Sequence, residues 1–93
     1  MLAEMFGCLG QATRLEVIRV LAPLSKGKAP QGLAAGQIAD VLGISPPTLS
    51  FHLKDMTLRK LLTQKRNGRE IIYTANLSLI LSALGDFVSE LEV

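Results

Sequence analysis

Four consecutive residues, Gly43-Ile44-Ser45-Pro46, constrain this chain more than any other stretch. Before them, Ile38, Ala39, Val41 and Leu42 recur at helical spacing and give a short helix one apolar face. Gly43 suits the left-handed position that stops a helix. Ile44 is a plug under the turn, Ser45 offers an N-cap oxygen, and Pro46 takes the first helical position, where its missing N–H costs nothing. A stop, a plug, a cap and a start packed together leave room only for a tight turn, so residues 36–54 read as helix-turn-helix.

The second helix has two sides when wound at about 100° per residue. Leu49, Leu53 and Met56 form a buried stripe, with His52 at its edge. Pro47, Phe51, Lys54 and Asp55 point away from it, flanked by Thr48 and Ser50. A Phe opposite the core is either one of the lone apolar residues common on surfaces or a contact for thymine methyl groups. His52 is either a packed, hydrogen-bonded edge residue or a phosphate contact.

A hairpin follows over residues 62–73. Asn67-Gly68 between two alternating runs is a strong hairpin signal, and Ile72 and Tyr73 carry β propensity. Lys65, Arg66 and Arg69 crowd its tip. Such a tip is often only a solubility device; directly after a helix-turn-helix it is expected to be a phosphate or minor-groove contact. The fold class is therefore mainly α with a small hairpin wing, a winged helix-turn-helix of order α-α-α-α-β-β-α in one domain over residues 1–93. The surface expected to meet duplex DNA comprises Ser45, Pro47, Thr48, Ser50, Phe51, His52, Lys54, Lys65, Arg66 and Arg69.

Charge agrees with that surface. The net charge is only +2, but Lys54, Arg59, Lys60, Lys65, Arg66 and Arg69 fall together, and the charges elsewhere roughly cancel. This is the electrostatic footprint of a duplex binder. The loop over residues 24–32 adds Lys26 and Lys28, which read as solvated side chains or as backbone phosphate contacts.

The remaining segments form a frame. Residues 1–8 read as an amphipathic helix, and residues 12–23 as a helix with Leu15, Ile18, Leu21 and Ala22 on one face and Arg14 and Arg19 elsewhere. Asn76 can cap a last helix carrying Leu77, Ile80, Leu81, Leu84, Phe87, Val88 and Leu91. That stripe is wider than one small domain needs. With Met1, Leu2 and Met5 of the first helix, it is expected to pair with a second copy about a twofold axis; the alternative is that it packs on the first helix of its own domain.

The Ala12-Thr13-Arg14-Leu15-Glu16-Val17-Ile18 helix start, the run from Ile38 to Ser45, the Thr48-Leu49-Ser50-Phe51-His52-Leu53-Lys54 segment and Asn67-Gly68-Arg69 together resemble the ArsR-type (ArsR/SmtB) winged-helix repressors, small bacterial metal- and metalloid-responsive regulators. The resemblance spans nearly the whole chain and implies a homodimeric repressor that leaves its operator when an inducer binds; composition agrees with a small cytoplasmic domain. The loop over residues 24–32 is longer than the resemblance leads one to expect. The family's sensing branches often carry a Cys-x-Cys pair before the turn, or Asp, His and Glu ligands on the last helix. Here residues 28–35 hold no thiol, and the last helix holds Asp86, Glu90 and Glu92 but no His, so neither usual sensor site is present.

The lone Cys8 excludes an internal disulfide and reads as a small buried hydrophobe. A metalloid role would require two Cys8 side chains to meet across the dimer. One His, one Tyr and one Cys, with no phosphate loop or nucleophile elbow, give enzymology little support. No cofactor, bound metal or membrane partner is expected, and the inducer is unknown. The alternative to DNA binding is a winged helix used as a protein-interaction module.

Overall fold

The turn forms as its residues dictate. In the computed structural model, which describes residues 2–9, 11–29 and 31–92 and only the backbone of Leu2, Glu4, Phe6 and Leu9, helix α3 spans Ala35–Leu42 and α4 spans Pro46–Leu58. Gly43 between them sits at φ 66°, and its N–H and that of Ile44 both donate to the Ala39 carbonyl, at 2.8 and 3.2 Å. Ile44 packs against the core as the expected plug. Ser45 departs from expectation. It has the extended backbone of an N-cap, but its hydroxyl donates to the Thr48 hydroxyl at 2.8 Å rather than accepting from a backbone N–H.

The far end of α4 closes without glycine. Lys60 takes φ 66°, with its N–H on the Thr57 carbonyl and the Leu61 N–H on the Met56 carbonyl, both at 3.0 Å. This is a Schellman closure with lysine at the left-handed position. It turns the chain straight into the wing.

The frame holds α1 (Leu2–Leu9) and α2 (Ala12–Leu21), the latter continuing as a 3-10 turn over Ala22–Ser25. The expected face of α2 needs correction. Val17 and Leu21 are fully buried and Ile18 half-buried, whereas Leu15 is exposed and Arg14 is buried. The strands are β1 (Leu33–Ala34), β2 (Leu62–Asn67) and β3 (Glu70–Ala75), in the antiparallel order β1-β3-β2. Strand β1 was not expected from the sequence. It pairs Leu33 with Tyr73 and Ala34 with Ile72. Gly32 just before it is required by close approach, because a Cβ there would lie 2.1 Å from the Tyr73 carbonyl oxygen.

The hairpin is one residue out of the expected register. Asn67 pairs with Glu70, so Gly68 and Arg69 make the turn. Gly68 has φ 64° and Arg69 no positive φ, the pattern of a type II′ turn with glycine first rather than the Asn-Gly type I′ turn.

The core gathers Leu21, Ile38, Leu49, Leu53, Met56, Leu61 and Leu62, each fully buried. Each such side chain contributes roughly 1.5–3 kcal/mol by leaving water. Helix α5 (Leu77–Leu91) starts at Asn76, whose Oδ1 accepts from the Leu79 N–H and whose Nδ2 donates to the Lys60 carbonyl. It rests on α1. Met5 and Ile80, expected at an interface between copies, are instead buried in the core of their own domain, and Leu77 packs half-buried against it. Leu81, Leu84, Val88 and Leu91 are left exposed, and Phe87 is half-buried. The expected Met1 and the Leu2 side chain lie outside the described residues. No helix among the described residues is long and apolar enough to cross a membrane.

Candidate nucleic-acid interface

Helix α4 is two-sided, as its sequence period requires. Leu49, Leu53 and Met56 are buried, while Pro47, Thr48, Ser50, Phe51 and Lys54 are exposed, Phe51 at 67%. A Phe held this far out contributes little to the core. Its ring meets the edge of the His52 imidazole, with centroids 5.8 Å apart.

A polar cluster that the sequence reading missed ties α4 to α1 and α2. Arg14 of α2 is 4% exposed. Its Nε donates to His52 Nδ1 at 2.9 Å, and its Nη1 donates to Cys8 Sγ at 3.1 Å and to the Asp55 carboxylate. Arg59 closes the cluster from outside through Nε to the same Asp55 oxygen at 3.1 Å. One guanidinium thus joins α1, α2 and α4. Burying a cation requires a paired, hydrogen-bonded setting, and Arg14 has one.

The cluster perturbs its members in explicable directions. Burial pulls the Arg14 guanidinium down, but bonds to Cys8 and Asp55 outweigh that and leave it raised. Burial, helped by the Arg14 charge, lowers His52 below its ordinary 6.5. Hydrogen bonds from Arg59 and then Arg14 hold the Asp55 carboxyl below its ordinary value. Asp55 was expected to point outward with Lys54; it faces Arg14 instead. His52, placed among the DNA-contact residues, accepts from Arg14 through Nδ1, in keeping with its other reading as a packed, hydrogen-bonded residue at the edge of the core. The signal was present, since Arg14 shares a stripe with Val17 and Leu21 at helical spacing.

The wing stands beside α4. Partners directly opposite in an antiparallel pair share a face, so Gln64 with Tyr73 and Arg66 with Ile71 lie on one side. Thr63 with Thr74 and Lys65 with Ile72 lie on the other. The first side forms a cleft with α4, lined by Ser50, Lys54, Thr57 and Leu58 from the helix and by Gln64 and Tyr73 from the wing. The expected triad of tip cations is therefore divided. Arg66 shares the α4 side, Arg69 sits in the turn, and Lys65 lies on the outer face. Among the described residues, no group of three or more His, Cys, Asp or Glu side chains could hold a metal ion.

A two-sided helix after a tight turn, with a cationic hairpin beside it, defines the class of winged helix-turn-helix, DNA-binding transcription regulators. Residues 9–65 match the model of the family described as "Helix-turn-helix domain", so the chain belongs to that family, in its ArsR-type form. Among solved structures, it superposes on an ArsR-like transcriptional regulator from Rhodococcus sp. RHA1 with a TM-score of 0.76 and 26% identity, covering 98% of this chain and 82% of that one. The AntR antimony-specific transcriptional repressor matches with a TM-score of 0.70 and 26% identity over 97% of this chain and 76% of that one. NolR from Sinorhizobium fredii shares the fold with a TM-score of 0.71 at 22% identity, over 94% and 80% of the two chains. No curated protein matches the sequence.

Proposed function

We propose that this chain is a homodimeric repressor that reads operator DNA with α4, steadies itself with the wing, and leaves the operator when an inducer binds. The observation that carries the reading is the exposed face of α4, where Thr48, Ser50, Phe51 and Lys54 lie outside the buried stripe, beside a cationic hairpin. Hydroxyls and Lys54 suit base edges and phosphates, and Phe51 suits a thymine methyl.

The dimer is supported by α5. Leu81, Val88 and Leu91 are 63%, 50% and 67% exposed along one helix that rests only in part on its own domain. Pairing α5 with its symmetry mate would cover them and set two copies of α4 about one DNA turn apart or more. A metalloid inducer bound between two Cys8 thiols fits poorly with the fold, since Cys8 is 4% exposed and faces Arg14 within its own protomer.

The test is fluorescence anisotropy with duplex from upstream of the chain's own coding sequence, over a salt series. Binding with log K falling linearly against log salt is expected. Absent or salt-insensitive binding would overturn the reading in favour of a protein-interaction module.

A further inference from the structure

The outer face of the wing, turned away from α4, carries a second basic groove. Its walls are Lys28 from the loop after the 3-10 turn and Lys65 from β2, and Ile72 of the central strand forms its floor. The Thr63 and Thr74 hydroxyls, hydrogen-bonded to each other, line one end. Gln31 and Gly32 line the other, beside Lys65, Arg66 and Asn67. No carboxylate lines the groove, and among the described residues no ion pair engages Lys28 or Lys65. Three cations, two hydroxyls and three amides around the Ile72 floor are suited to a phosphodiester backbone.

Geometry says which backbone. The minor groove is about 6 Å wide and bounded by two phosphate strands. A hairpin entering it turns one face to each strand. The α4 cleft, with Ser50 and Lys54, serves the strand that also borders the major groove occupied by α4. The outer face then meets the strand on the far side, beyond the half-site that α4 covers.

We propose that the Lys28–Lys65 groove binds the phosphate backbone of flanking duplex on the far side of the minor groove, lengthening the footprint without reading sequence. This rests on the DNA-binding reading above.

The test compares the parent with Lys28→Ala/Lys65→Ala and with Lys28→Arg/Lys65→Arg, on a long duplex and on one trimmed at the half-site edges. On the long duplex the alanine pair should lower the salt slope by about 1.8 per bound protomer, since each phosphate contact contributes about 0.9. If the curves converge near 1 M, that is about 30-fold weaker binding per protomer at 0.15 M salt. The arginine pair should keep the parent slope, and on the trimmed duplex all three proteins should bind alike. A parent slope for the alanine pair on the long duplex, or equal losses on both duplexes, overturns the groove assignment alone. A parent that binds neither duplex overturns the DNA-binding reading with it.

Discussion

Gly32→Ala should unseat β1, and the structure sets the size of the effect. The new Cβ would lie 2.1 Å from the Tyr73 carbonyl oxygen and 2.8 Å from its carbon. Close carbon–oxygen contacts between strands run at about 3.3 Å, so the two backbones must part by about 1 Å. Strand β3 cannot give way, because it is the middle strand and is also paired with β2 along its whole length. The two-residue β1 must move instead, and a 1 Å shift weakens its hydrogen bonds to β3 steeply. Two ladder bonds at about 1 kcal/mol net each put the loss near 2 kcal/mol. For a domain of this size, that lowers Tm by roughly 8–16 °C. Gly36→Ala is the control. Gly36 lies in α3 with open space around its Cβ position, so alanine there should stabilise by about 0.5–1 kcal/mol. Urea unfolding of both variants measures the difference. If both shift in the same direction, or Gly32→Ala keeps the parent midpoint, the close approach is wrong.

Arg66→Ala should lower the salt slope of DNA binding by about one without changing preference among sites, whereas Phe51→Ala should change site preference more than overall affinity; competition between duplexes distinguishes them. Leu84→Glu places a carboxylate in the proposed α5 interface at a cost of about 2–4 kcal/mol, so sedimentation should find monomer with the parent's helix content; a monomeric parent would refute the interface. Stability should fall as pH drops below 6.5, because the His52 pKa is lowered in the fold and the unfolded chain binds the proton more readily. His52 is the sole histidine, so urea midpoints at pH 7.5 and 5.5 isolate it, and a parent equally stable at both would contradict the Arg14 contact. Cys8→Ser should leave DNA binding and dimerisation intact, since a hydroxyl can also accept from Arg14; arsenite-dependent release of operator by the parent but not the variant would instead make Cys8 a sensor.

The turn was legible in the sequence because Gly43 permits the left-handed backbone that stops α3 and Pro46 fixes its own φ at the start of α4, and the two sides of α4 because a thirteen-residue helix is long enough to display its period. Strand β1 was not legible. Two residues cannot show alternation, and its partners lie some forty positions away. The Arg14 cluster was missed for a similar reason, its contacts spanning 38 and 41 positions to His52 and Asp55. The faces of the wing depended on a single residue of turn register, which decides the side each tip cation takes. Met5 of α1 and Ile80 of α5 proved to be local core because neither shows in sequence which neighbour buries it.

The division of labour on α4 bears on how such a chain can diverge. Its fit to the rest of the molecule rests on Leu49, Leu53, Met56 and the Arg14–Asp55 pair. Ser50, Phe51 and Lys54 are exposed on the other side, where Phe51 meets only the ring of His52 among the ring contacts of the described residues. Descendants can therefore exchange these three residues at little thermodynamic risk, and a duplicated copy could drift toward a new target before losing its fold. The inherited scaffold and the inherited address are written on opposite sides of one helix.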